Sequence, residues 1–289
     1  MKTALYLFLF IFTQYVCAEM DTTASQQSYF TIENKQIKES SGLACSKQNT
    51  AVIWTHNDSG HMPVIYAMSD KGEDLGTFFL EDVVSRDWED MASFKRDGQA
   101  YLLVADTGDN FKIFRAYTLS IFKEPELSTK VKSALSPLWQ VKYRFPDNQS
   151  YDVEAVSVDV QRDKVILLTK RTPFAQVYEV PLGKETVSDI LVAEKVGEFN
   201  EIVNPTAADM TADGNLLLVL TYGRVHLFDK QRTSATQPHV KYIKRKQVIK
   251  YKDLFQPEAM CLSADKKSIY VTSERKSRLI KIKSQQYVK

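Results

Sequence analysis

The chain has 289 residues, with 38 Lys and Arg against 36 Asp and Glu and a formal net charge of +2. So close a balance argues against a dedicated binder of nucleic acid or another polyanion, while an apolar content of 44% is ample for a core. The charge is nevertheless uneven, because residues 240–289 hold 14 Lys and Arg against 4 Asp and Glu. In runs such as Lys241-Tyr-Ile-Lys-Arg-Lys246 the charges alternate with apolar residues, as on the solvated face of outer strands.

Residues 1–18 combine an early Lys2, an apolar run from Ala4 to Phe12 and a small-residue ending at Val16-Cys17-Ala18. That is the layout of a cleavable secretory signal, so the sequence predicts a secreted or periplasmic protein with no membrane span. Residues 19–28 read as a disordered leader and residues 29–289 as one domain. Cleavage leaves Cys45 and Cys261. Secretion permits a disulfide between them, and two buried small residues are the other reading, since spacing alone does not fix the geometry.

Five segments then recur with one pattern, a large apolar residue behind a polar or acidic one: Ser41-Gly-Leu43, Glu89-Asp-Met91, Glu154-Ala-Val156, Ala208-Asp-Met210 and Glu258-Ala-Met260. Their first residues lie 48, 65, 54 and 50 positions apart, a period that points to propeller blades. Each segment precedes a turn and a β-rich run: Ala51–Thr55, Tyr101–Ala105, Val165–Thr169, Leu216–Thr221 and Ser268–Thr272. Alternating third strands follow at Val64–Met68, Ala175–Val180, Arg224–Phe228 and Arg278–Ile282, and outer strands at Leu75–Leu80, Leu138–Phe145, Ile190–Phe199 and Val240–Ile249. The last unit runs out of chain, and Tyr29–Ile37 can supply its missing edge. The expected fold is all-β, a five-bladed β-propeller closed by an N-terminal strand that completes the last blade.

In an up-and-down blade the first strand starts where the second one ends, so both sets of residues meet on one face. Starts of first strands bring Glu89, Asp90, Glu154, Asp209 and Glu258, with Asp87 and Asp152 just ahead. Ends of second strands bring His56-Asn-Asp58, Asp106-Thr-Gly-Asp109-Asn110, Lys170-Arg171, Tyr222-Gly-Arg224 and Glu274-Arg275. Converging carboxylates need a cation, basic partners or protonation. An all-oxygen set suits Ca²⁺ better than Zn²⁺, for which no Cys/His spacing exists, and the expected ligands are Glu89, Asp90, Glu154, Asp209, Glu258 and Asp109. The alternative is neutralisation of the ring by Arg86, Lys170, Arg171 and Arg224. The acids and turn residues of Asp106–Asn110 fit a calcium or substrate loop as well as a tight turn. In Thr55-His-Asn-Asp-Ser-Gly60, His56 is a candidate general base beside Asp58.

At these residues the chain resembles a group of bacterial secreted β-propeller proteins. The similarity is carried by Glu39-Ser-Ser-Gly-Leu-Ala44, Trp54–Gly60, Arg86-Asp-Trp-Glu-Asp-Met-Ala92, Asp106–Asn110, Asp152-Val-Glu-Ala155 and Thr169-Lys-Arg171. More loosely it is similar to two calcium-using propeller families, the nucleotidases and the phytases. Asp152–Ala155 resembles a phytase tunnel segment, and Glu89 followed by Asp106–Asn110 resembles the nucleotidase order. Neither motif set is complete, and the phytases have six blades.

Two functions follow as expectations. One is a binding module for a small-molecule, glycan or peptide ligand, polar or phosphorylated, acting as a monomer over a divalent cation. The other is a calcium-dependent phosphoesterase, with Lys170, Arg171 and Arg224 on the phosphoryl oxygens and Asp106 or Glu89 activating water. Glycoside hydrolysis by paired carboxylates among Glu89, Glu154 and Glu258 is a third possibility.

Overall fold

A computed structural model describes residues 21–23, 26–127, 132–186, 188–231, 241–274 and 276–284. The signal segment 1–18 and Arg275 lie outside these residues. Five small sheets make a ring, the arrangement of a five-bladed propeller.

Blade 1 runs outward from the axis through Ser40–Cys45, Val52–Asn57, Val64–Ser69 and Asp74–Leu80. Blade 2 uses Trp88–Arg96, Gln99–Asp106, Tyr117–Lys123 and Trp139–Arg144, and blade 3 uses Asp152–Asp159, Lys164–Lys170, Ala175–Pro181 and Glu194–Phe199. Blade 4 comprises Ala207–Met210, Leu216–Thr221, Arg224–Gln231 and Lys241–Lys250. Blade 5 has Pro257–Leu262, Ser268–Ser273 and Lys276–Lys283, and its outer strand is Gln27–Thr31. The closing strand pairs antiparallel, with Gln27 opposite Ile282 and Thr31 opposite Arg278. The N-terminal segment thus closes the wheel, starting two residues earlier than the sequence suggests.

Three blades gain a fifth, parallel strand: Lys132–Leu135 beside Thr77–Leu80, Leu191–Val192 beside Tyr143–Arg144, and Asp21–Thr23 beside Val248–Lys250. The segment read as a disordered leader is therefore paired where it is described. The segment read as one outer strand, 190–199, breaks at Ala193, whose amide bonds Arg144 of the preceding blade. All three additions cover outer edges that would otherwise expose unpaired backbone.

The core is five separate layers, one between each pair of neighbouring blades. Successive side chains of a strand point to opposite faces. Leu102 and Val104 therefore pack against blade 1, whereas Leu103 and Ala105 pack against blade 3. This two-sided burial is why the second strands carry uninterrupted apolar runs. The Cys45–Cys261 disulfide, with a Cα–Cα distance of 5.5 Å, ties the innermost strands of the first and last blades beside the closure.

Candidate metal centre at the tunnel mouth

The innermost strands begin at one mouth of the tunnel with an irregularity in four of the five blades. Pairing with the second strand shifts register between Ser40 and Gly42, Trp88 and Asp90, Val153 and Ala155, and Pro257 and Ala259. The residue skipped each time is Ser41, Glu89, Glu154 or Glu258, the first residue of the sequence repeat. A bulge re-aims the side chain it carries, and these bulges sit where the three glutamates join one acidic array. Blade 4 pairs without a shift, and its equivalent residue is Ala208. In four of the five blades the repeat is thus a bulge, and its three glutamates occupy bulged positions.

Around these glutamates the mouth collects Asp58, Asp87, Asp152, Lys170, Arg171, Tyr222 and Glu274. One carboxylate oxygen from each of Asp58, Asp87 and Glu89 lies within 4.8 Å of the others, as do oxygens of Glu89, Asp152 and Glu154. Glu89 belongs to both groups. The cations are unevenly shared. Lys170 Nζ donates to Glu154 and, at 3.4 Å, to Glu258. The Arg171 guanidinium donates to Asp152 and, at 2.6 Å, to Glu154, and Tyr222 donates to Glu258 at 3.2 Å. Among the described residues, no Lys or Arg forms an ion pair with Asp58, Asp87 or Glu89. The ion pairs thus neutralise one part of the ring and leave Asp58, Asp87 and Glu89 without a basic partner.

Burial raises carboxylates on both sides of this division, Glu154 to about 8 and Glu258 in the same direction, against the pull of Lys170. Burial, then the charges of Asp58, Asp152 and Asp106, push Asp87 up to about 6. Burial, then Glu154, Asp58 and Asp87, hold Glu89 well above the ordinary carboxylate range, and burial with Glu258 and Asp58 lifts Glu274 to about 7. On the paired side, burial pulls Lys170 down, but Glu154 and Glu258 outweigh it and hold the ammonium charged.

The loop from Thr107 to Ala116 packs over this site. Gly108 admits it, because a Cβ there would collide with the carboxylates of both Glu89 and Asp87. Asp109 is not a ligand in this arrangement: its oxygens accept from Ile113 N at 2.8 Å, Phe114 N at 2.9 Å and Tyr117 OH at 2.9 Å, bracing the loop. Asp106 likewise accepts from the Asp87 amide at 2.8 Å and faces Arg86 at 3.8 Å. Arg86 is held by Phe114, whose ring centroid lies 3.8 Å from its Cζ.

Two further expected ligands lie elsewhere. Asp90 is wholly buried and accepts from Met91 N at 2.8 Å, from Val156 N of blade 3 at 2.8 Å and from Ala208 N of blade 4 at 3.2 Å. Asp209 accepts from Met210 N at 2.7 Å and from Leu262 N of blade 5 at 2.7 Å. Innermost strands have no neighbour on the axis, and these two carboxylates satisfy amides that would otherwise be buried unpaired. His56 is 0% exposed, stacks edge-on against Trp88 at 5.4 Å and bonds Asn57 O through Nδ1 at 3.0 Å. Burial lowers its pKa, so it is a neutral wall residue, not a base facing the mouth. Arg224 is exposed at the start of the third strand of blade 4 and pairs with none of the mouth carboxylates in the described residues.

Sequence reasoning placed Asp87, Asp152, Glu274 and Tyr222 at this face but did not select them as ligands. It missed Gly108, whose one signal is its place between two acids in Asp106-Thr-Gly-Asp109. Fold and site together define a class, a five-bladed propeller with a carboxylate-lined tunnel mouth. Compared with known proteins, the chain matches no family model and no curated sequence.

Proposed function

We propose that this propeller binds a divalent cation, calcium, at Asp58, Asp87 and Glu89, and through it a small polar or phosphorylated ligand. One observation carries the reading: Lys170 and Arg171 serve Asp152, Glu154 and Glu258, which leaves Asp58, Asp87 and Glu89 converging without an ion-pair partner. Three carboxylates so placed repel one another strongly unless a cation or protons intervene. An all-oxygen, partly exposed set suits a hard cation of variable coordination.

Arg171 favours an anionic ligand beside that cation. Its side chain is 43% exposed, and its backbone is held at a φ of 56° while the guanidinium lies on Asp152 and Glu154. Left-handed backbone is unfavourable for arginine, and such strain concentrates at functional positions. An exposed guanidinium edge can then meet phosphate or carboxylate oxygens.

The same pairing of cation and arginine supports a second reading, hydrolysis of a phosphoric ester, in which the cation would polarise the phosphoryl group and Arg171 would hold its oxygens. The disulfide supports placing the protein in an oxidising compartment, secreted or periplasmic, in keeping with its resemblance to bacterial secreted propellers. Isothermal titration of chelator-treated protein with calcium tests the cation. Saturable binding lost in Glu89→Gln is expected, and heat absent from the unaltered protein defeats the reading. A screen of phosphomonoesters with and without calcium then separates binding module from hydrolase.

A further inference from the structure

The most exposed large apolar side chains share one end of two neighbouring blades. Among the described residues, the four most exposed are Phe111 at 85%, Val84 at 73%, Met62 at 65% and Ile113 at 61%. They occupy three loops, 58–63, 81–87 and 107–116. These are the loops that carry Asp58, carry Asp87, and lay Gly108 against Glu89. The candidate cation site is therefore flanked on one side by the most exposed apolar tips of the described molecule. Apolar tips on adjacent loops are anchors that a membrane interface can accept without one continuous patch.

We propose, resting on the cation reading above, that this face seats on an anionic phospholipid surface. The cation bridges Asp58, Asp87 and Glu89 to a lipid phosphate, and Met62, Val84, Phe111 and Ile113 enter the headgroup boundary. Charge selects this occupant once the cation is bound, since the exposed Lys112 and Arg115 offset the exposed Glu81 and Asp82 of the neighbouring loop. The loop Phe111-Lys112-Ile113 alternates apolar and basic residues, and Arg115 is exposed four residues beyond Phe111. Apolar side chains interleaved with Lys and Arg are what an anionic lipid interface accepts. A second copy of the chain would set one acidic mouth against another, which repels. Separate tips on three loops also suit a deformable interface, since they offer a shape-matched partner no continuous face. Without the cation the excess carboxylates keep the face away from anionic lipid, so docking is calcium-dependent.

The test is sedimentation with vesicles of phosphatidylcholine containing phosphatidylserine, in calcium and in chelator, with melting temperature followed in parallel. The expected result is calcium-dependent sedimentation that soluble glycerophosphoserine does not reproduce as a comparable rise in melting temperature. It should weaken by about tenfold or more in the Phe111→Ser/Ile113→Ser variant, from the apolar area lost, while calcium still stabilises that variant. Stabilisation by calcium without sedimentation overturns the lipid proposal and leaves the cation reading intact. No response to calcium in either assay overturns both. Equal sedimentation of the double variant, sedimentation that persists in chelator, or a dimer dispersed by Phe111→Ser would each overturn the proposal as well.

Discussion

Glu89 and Glu154 occupy the same bulged position in neighbouring blades, and only Glu154 meets a cation. Glu154 contacts Lys170 and Arg171, whereas Glu89 faces Asp58, Asp87 and Asp152. The same substitution at the two positions should therefore act with opposite sign. Glu154→Gln leaves Lys170 with Glu258 and Arg171 with Asp152, and is expected to cost about 1 kcal/mol. Glu89→Gln removes a repelled charge and should raise the stability of cation-free protein while abolishing its response to calcium. Urea midpoints in chelator decide this, and a loss of similar size in both variants would defeat the assignment.

The cation-free protein should lose stability as pH rises. Asp87 and Glu274 have folded-state pKa values raised to about 6 and about 7, so folding favours their protonated forms. Their contribution is fully present below the ordinary carboxylate pKa and is lost as pH climbs through 6 and 7. Calcium competes with those protons. Melting temperatures in chelator should fall from pH 5 to pH 8, and added calcium should restore them at pH 8 but act weakly at pH 5. A calcium effect independent of pH would count against Asp87 as a ligand.

Gly108→Ala tests the packing of the loop over the site. The new Cβ meets the Glu89 and Asp87 carboxylates, so either the loop or the acids must move. We expect a loss of about 1–3 kcal/mol from overpacking and calcium binding weakened at least tenfold. Calorimetric binding equal to that of the unaltered protein would show that the loop does not shape the site.

Replacing both Cys45 and Cys261 by Ser should expose how much the closure relies on its disulfide. The bridge spans a sequence separation of 216, and a loop of that size gives an expected loss of about 5 kcal/mol. Denaturation midpoints with and without reductant check it. A midpoint in the unaltered protein that reductant leaves unchanged would mean the bridge adds nothing.

Much of the fold was legible before any coordinates. Burial on both faces writes apolar runs into second strands, so Leu216–Thr221 and Val165–Thr169 could be recognised directly. A repeat with a period near fifty residues fixed the blade count, and the unpaired edge at the chain end implied that the N-terminal segment returns to close the ring. The fifth strands were not legible. Lys132–Leu135 and Asp21–Thr23 are held by edges from another part of the chain, and short polar segments carry no periodicity that announces such pairing.

The site divides the same way. Sequence by itself determined which residues stand at one mouth, because alternating strand direction brings first-strand starts and second-strand ends together. Only the tertiary structure decided what each does there. Asp90 and Asp209 turn to backbone amides of other blades, Asp109 braces its own loop, and His56 is walled in, while bulges bring Glu89, Glu154 and Glu258 into one acidic ring. A carboxylate's role depends on which donor or cation lies within about 3 Å of it, and those neighbours come from strands dozens of residues away.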